Sequence, residues 1–333
     1  MPLRSVRRRV RQRYEQLRSE TIRVGYIKAL EHAARLGRAL PIAQAARRRV
    51  EIVRDLPYRP GGLRAHTLDV YRPRGLGAPA PTVLYIHGGA FSHLSKDTHW
   101  MMGVSFAARG YVVFNINYRL APRDPFPAAV EDACAAARWV HEHAGRYGGD
   151  PERMVVAGES AGGNLATVVT LAARHEFAYE PGRALFHSGF TPRACIAACA
   201  ILQVSETERF NSLWKRPLPP WVNHQLVTLT EQYLPQRSRR DAPMPLADPL
   251  VFLERREAQT DRPLPPFFAF AGTRDPILDD TRRLGAALDR HGVRCETRFY
   301  KGELHAFHAV PFREQARRCW GEQFDFLGEV LSA

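Results

Sequence analysis

From about residue 80 onward the chain alternates short, continuously apolar runs with stretches of helical periodicity. The apolar runs are 82–86 (TVLYI), 111–119 (YVVFNINYR), 154–160 (MVVAGES), 194–202 (ACIAACAIL), 267–273 (FFAFAGT) and 295–302 (CETRFYKG). Runs of this length that do not alternate with polar residues predict strands buried on both faces. Residues 126–147, 161–174, 279–291 and 312–331 read as helices between or after them, and Gly-Gly-Asp-Pro at 148–151 predicts the stop of the first. Residues 63–74 alternate loosely and predict a further strand, with an earlier partner near 50–54. Strands alternating with helices place the chain in the α/β class, with helices on both faces of a mostly parallel, eight-stranded sheet. Right-handed crossovers gather the loops that follow the strands on one edge, where such sheets bind ligands.

Two segments break this alternation. Residues 1–50 read as helix, with Ile22, Tyr26 and Leu30 among charged positions. Residues 204–262 are rich in Pro, Trp and charge, including Trp214, Trp221 and the stretch LPQRSRRDAPMP. Neither supplies a core strand, and both are expected to fold over the ligand-binding edge as a helical cap. The expected organisation is therefore an N-terminal cap region at 1–50, a catalytic domain at 51–203 and 263–333, and a second cap segment at 204–262.

The net charge of +14 is partly an N-terminal feature, since six arginines (Arg4, Arg7, Arg8, Arg9, Arg11, Arg13) fall in the first 13 residues. No nucleic-acid-binding signature accompanies them, so nucleic acid is not an expected partner. Contact of this basic helix with an anionic membrane is an open reading. Five cysteines with no paired spacing are expected to be core residues in a reducing compartment, neither a disulfide framework nor a metal site. No apolar stretch reaches the length of a membrane span and no apolar segment follows the basic start, so the expected location is cytoplasmic.

The chemistry-bearing motifs sit just after the apolar runs. Gly158-Glu159-Ser160-Ala161-Gly162 lies between a strand and a helix, the setting that G-x-S-x-G needs to expose a strained nucleophilic serine. The glycines two residues on either side leave room that a side chain would close. His87-Gly88-Gly89-Ala90-Phe91 follows the run at 82–86, where backbone N–H donors for an oxyanion belong. Gly89 with Ala90, or Gly88 with Gly89, together with Ala161, are the candidate donors, and His87 reads as a residue that holds the loop. An acid and a histidine should follow in that order along the chain. Asp275 comes just after the run at 267–273, and His305 after the last one. Asp279 and Asp280 read as caps of the next helix. His308 is a less favoured base, and His141 and His143 belong to a far helix. The expected chemistry is attack by Ser160, with His305 as base and Asp275 orienting it.

Five motifs in order now carry a resemblance. HGGAF (87–91), NYRLAP with FPAAVEDA (117–133), GESAGGNLA (158–166), GTRDPILDD (272–280) and YKGELHAFH (300–308) resemble the bacterial hormone-sensitive-lipase-like esterases of the α/β-hydrolase fold, over roughly 65–325. The resemblance implies a serine carboxylesterase for short- to medium-chain acyl esters, with no cofactor and no metal. It implies Ser160, Asp275 and His305 as the triad and Gly89, Ala90 and Ala161 as oxyanion donors. It also implies a cap from the two anomalous segments and, in many members, a homodimer. Four features depart from the family pattern: Ala90 at a common glycine, Ala306 after the histidine, SHLSKDTH around 92–99, and the strongly basic N-terminus. An amidase, lactonase or carbamate hydrolase would use the same residues; a non-catalytic protein that binds a small ligand in a degenerate site usually lacks a triad residue, and this chain keeps all three.

Overall fold

A computed structural model describes residues 3–39, 41–213, 217–235, 244–255 and 260–332; side chains are described from residue 13 onward, apart from 42 and 45–47. The side chains of Arg4 to Arg11, all of Trp214 and most of the LPQRSRRDAPMP stretch lie outside the described residues.

The strands are β1 (Val50–Pro57), β2 (Thr67–Pro73), β3 (Ala80–Ile86), β4 (Val112–Ile116), β5 (Gly149–Glu159), β6 (Ala194–Ala198), β7 (Phe267–Gly272) and β8 (Cys295–Tyr300). They form one eight-stranded sheet in the order β1-β2-β4-β3-β5-β6-β7-β8. β2 pairs antiparallel with β1 and with β4, and every later pairing is parallel. The helices are α1 (Leu3–Gly37), α2 (Pro41–Arg48), α3 (Trp100–Ala107), α4 (Ala128–His143), α5 (Ala161–Ala172), α6 (Glu180–Phe186), α7 (Pro220–Tyr233), α8 (Pro249–Glu254), α9 (Leu278–Arg290) and α10 (Glu314–Ser332). The eight-stranded sheet and the helices on both its faces match the sequence reading.

Successive strand residues point to opposite faces, so each run divides between two cores. Leu84, Ile86, Met154, Val156 and Phe267 pack on one side, with residues of α4, α5 and α9. Val83, Tyr85, Val155, Phe268 and Phe270 pack on the other, with residues of α3 and α10. Each fully buried large apolar side chain contributes about 1.5–3 kcal/mol.

Three expectations are corrected in detail. Gly148 does end the helical stretch before it, in a left-handed conformation (φ 83°), but Gly149 already opens β5 and pairs with Ala80 of β3. A register jump between Pro81 and Thr82 absorbs the extra residues. The run 194–202 leaves the sheet at Ala198, because Cys199 adopts φ 45° and the N–H groups of Leu202 and Gln203 are taken by the Asp280 carboxylate. Asp280 is therefore not a helix cap. It is fully buried and ion-paired with Arg209, tying the loop after β6 to α9. Cys134, Cys195, Cys199 and Cys319 are buried and Cys295 half-buried, all as free thiols.

Candidate active site

The turn after β5 is strained as the motif demands. Ser160 has φ 53° and ψ −117°, outside the regions that L residues favour. A Cβ on Gly158 would lie 2.2 Å from the Gly162 carbonyl oxygen, and one on Gly162 would lie 2.0 Å from that of Ile86. The serine turn is thus pressed against the end of β3, which leads directly into the His87–Phe91 loop. The Ser160 N–H donates to Ala198 O at 2.8 Å, anchoring the turn to β6 as well.

The loop from His87 to Phe91 holds an unusual backbone run, with φ of 117° at Gly89, 51° at Ala90 and 58° at Phe91. A side chain at Gly89 would meet His93 O at 2.0 Å. Gly89 O accepts from the N–H groups of Ser92 and His93, closing the turn. Among the described residues, no turn or loop hydrogen bond takes the N–H groups of Gly88, Gly89, Ala90 and Ala161, the candidate oxyanion donors. Phe91 is buried and its ring stacks on Tyr233 of α7 at 3.7 Å between centroids, which fixes the far side of the loop. His87 stacks on Tyr118 at 4.3 Å, with its Nδ1 at 2.6 Å from Gly88 O. Burial, with the charge of His99 adding to it, pushes the His87 pKa down to about 3, so the ring is neutral and works as a strut.

Asp275 and His305 come together as expected. His305 Nδ1 lies 2.9 Å from Asp275 Oδ2, and Asp275 is fully buried. The other carboxylate oxygen accepts from the Ile277 N–H at 3.0 Å, holding the carboxylate plane. Burial disfavours the His305 imidazolium, but the charge and hydrogen bond of Asp275, joined by the charge of Glu159, outweigh it and raise the pKa above 6.5. The Ser160 hydroxyl hydrogen-bonds to no described residue, so the serine–imidazole contact is not made in this structure. The two groups nonetheless share one edge. Ser160 adjoins Glu159, whose charge reaches His305. Its N–H binds Ala198, next to Cys199, whose sulfur lies within 4.8 Å of the ligand atoms of Asp275 and His305. Hydrogen bonds of this kind are often long in unliganded sites and tighten with substrate. Cys199, Asp275 and His305 are, among the described residues, the one grouping spaced to hold a metal ion. Burial, with the nearby Asp275 charge, pushes the Cys199 thiol pKa well up, so the sulfur is protonated rather than an anionic ligand.

The structure adds residues that sequence reasoning passed over. Glu159, the variable position of the serine motif, is buried between two histidines: His99 Nε2 at 3.1 Å and His308 Nε2 at 3.3 Å. His308 thus faces Glu159, whereas His305 faces Asp275. Lys96, in the stretch that departs from the family pattern, is buried with its Nζ at 2.7 Å from both Asp55 and Asp69. Its one sequence signal was the charged Asp69 between the apolar Leu68 and Val70 of β2. His143 stacks on Trp139 at 4.3 Å, in the helix that sequence reading placed away from the site.

Helix α1 reaches the same edge. Tyr26 packs against Trp221 of α7 at 5.5 Å between ring centroids, and Glu20 accepts from His224 at 3.1 Å while ion-pairing with Arg23. The charge of Glu159 acts on Tyr26, and that of Arg23 on His93 beside the glycine loop. A groove of about 410 Å³ runs between α1 and α7, lined by Leu17, Glu20 and His224 among others.

A strained serine at a strand–helix turn, a histidine–carboxylate pair after the last strands and a glycine-rich loop after β3 thus meet at one edge of the sheet. The chain belongs to the alpha/beta hydrolase fold family, whose sequence profile matches residues 83–309. Over 240 residues it is 32% identical to esterase LipI of Mycobacterium tuberculosis, covering 69% of this chain and 66% of LipI. Over 243 residues it is 35% identical to the carboxylic ester hydrolase LipN of the same organism, covering 71% of this chain and 59% of LipN. Among solved structures, a hyperthermophilic esterase from Pyrobaculum calidifontis superposes with a TM-score of 0.70 at 27% identity, covering 100% of this chain and 99% of that one. These relatives bear out the resemblance to bacterial esterases read from the motifs. Among the described residues, no helix is long and apolar enough to cross a membrane.

Proposed function

We propose that the protein is a serine carboxylesterase that hydrolyses short- to medium-chain acyl esters through an acyl-enzyme. The observation that carries this reading is the His305–Asp275 pair at 2.9 Å, set at the sheet edge that holds the strained Ser160. His305 takes the Ser160 proton as the hydroxyl oxygen attacks the ester carbonyl carbon. Asp275 holds the Nδ1–H tautomer and stabilises the imidazolium. The N–H groups of Gly89, Ala90 and Ala161 receive the oxyanion, each donor being worth about 3 kcal/mol in the transition state. His305 then protonates the leaving alcohol, and water, activated by the same imidazole, releases the acid. Helices α1 and α7 form a cap over this edge of the sheet. The contacts of Tyr26 with Trp221 and of Phe91 with Tyr233 support that assignment.

The test is a nitrophenyl ester series of rising acyl length, run on the wild type and on Ser160→Ala with matched anilides alongside. The expected result is turnover of the shorter esters by the wild type, much slower turnover of the anilides, and loss of at least about 10³-fold in the variant. A variant as active as the wild type removes the assignment, and anilides cleaved as fast as esters make the protein an amidase.

A further inference from the structure

Glu159 has no part in the triad chemistry, yet it is a buried carboxylate one residue from the nucleophile. Three loops converge on it. His99, at the end of the 92–99 loop, meets Oε1 at 3.1 Å, and His308, three residues after the base, meets Oε2 at 3.3 Å. A Cβ on Gly88 of the glycine loop would lie 2.9 Å from Oε1, so only a glycine lets that loop rest on the carboxylate. We propose that Glu159 is a positioning residue: a second carboxylate that acts through His305 and sets the glycine loop, the serine turn and the His305 loop in one register. This rests on the esterase reading above.

The alternative is a buried polar cluster that merely stabilises the fold. Charge distinguishes the two. Asp275 and Cys199 face His305 from the ends of β7 and β6, and Glu159 acts on it from the serine turn. Around Glu159 itself stand His99, His308, His87 and Tyr26, with Tyr85 and Tyr118 beneath. Burial alone would keep a carboxyl protonated there; the two histidines reverse this and hold Glu159 well below the usual carboxylate range. A fixed negative charge beside an imidazole favours its protonated form. That is the form His305 takes as Ser160 attacks the ester carbonyl and the oxyanion develops.

The experiment is an NMR titration of the His305 ring in the wild type and in Glu159→Gln, which reads the coupling whether or not esters are turned over. Steady-state kinetics on a short-chain nitrophenyl ester run in parallel. The variant should titrate lower by about half a pH unit or more, because a negative charge is gone. Its kcat should fall about tenfold or more with KM little changed, and the acid limb of its pH profile should move down with the titration. Glu159→Asp, which keeps the charge but shortens its reach, should recover the titration and only part of kcat. An unmoved titration in a folded Glu159→Gln protein overturns the proposal, as does wild-type kcat. If Glu159→Gln does not fold, Glu159→Asp carries the test: a His305 titration near that of the wild type with a kcat several-fold lower is expected, and wild-type kcat overturns the proposal. A wild type inactive on every ester, with the titration still shifted, would refute the esterase reading alone.

Discussion

The centre of the sheet and helix α1 lie against the same edge but are built on different physics. From Met154 to Gly158 every residue of β5 is buried, and the turn that follows is pinned by backbone contacts that tolerate no added carbon. Along α1, Tyr14, Leu17 and Leu36 stand 66%, 61% and 72% exposed. The helix is held by scattered polar links: Trp100 Nε1 to Ala34 O at 2.9 Å, Arg38 to Asp97 O at 2.6 Å, and the Glu20–His224 contact. Close packing leaves a group one position, whereas exposed ion pairs are worth little and exchange with water. The proposed nucleophile and its partners sit on the close-packed part, and the proposed cap on the part held by exposed polar links.

Changes at the rigid edge should therefore be large. Asp275→Asn should lower kcat by about 10³- to 10⁴-fold while the thermal unfolding midpoint stays near that of the wild type, because the imidazole loses its tautomer and its counter-charge. A loss of only a few-fold would break the comparison at its strongest point. Next comes Lys96→Met, in the loop that joins the two regions. Its ammonium is buried against Asp69 and Asp55, so the variant leaves the fully buried Asp69 carboxylate with only Arg54 at 3.4 Å and the Asp55 N–H, and should cost about 3 kcal/mol in urea unfolding. A stability loss below about 1 kcal/mol would place Lys96 with the weak surface pairs instead. The smallest effect belongs to Glu20→Gln on α1. The Glu20 carboxylate, held down to about 2 chiefly by Arg23 with help from His224, is largely exposed, so removing its charge should cost less than about 1 kcal/mol. The variant should nonetheless change the acyl-length profile, because it loosens α1 from α7. An unchanged profile would remove Glu20 from the cap.

The same division explains what could be read from the sequence. The strands were legible because continuous apolar runs report burial on both faces, a local property of TVLYI or FFAFAG. The serine turn was legible because its glycines answer to a steric demand within five residues. Asp280 was misread because capping is a local inference, while its partners lie 71 to 78 residues away at Arg209, Gln203 and Leu202. The early start of β5 was missed for a similar reason: Gly149 pairs with Ala80 only after the sheet has closed around a register jump. Glu159 and Lys96 left little trace in sequence, since a charged residue reads as exposed until its partners from other elements are known.

The central claim is that Ser160 is the nucleophile activated by His305. The most direct measurement is labelling with diethyl nitrophenyl phosphate, an organophosphate that reacts far faster with an activated serine than with other side chains, followed by mass spectrometry of the digested protein. A single diethylphosphoryl adduct on the peptide carrying Ser160, absent in Ser160→Ala and strongly slowed in His305→Gln, is the predicted result. An ester-hydrolysing protein that takes up no label, or takes it up on another residue, would contradict it.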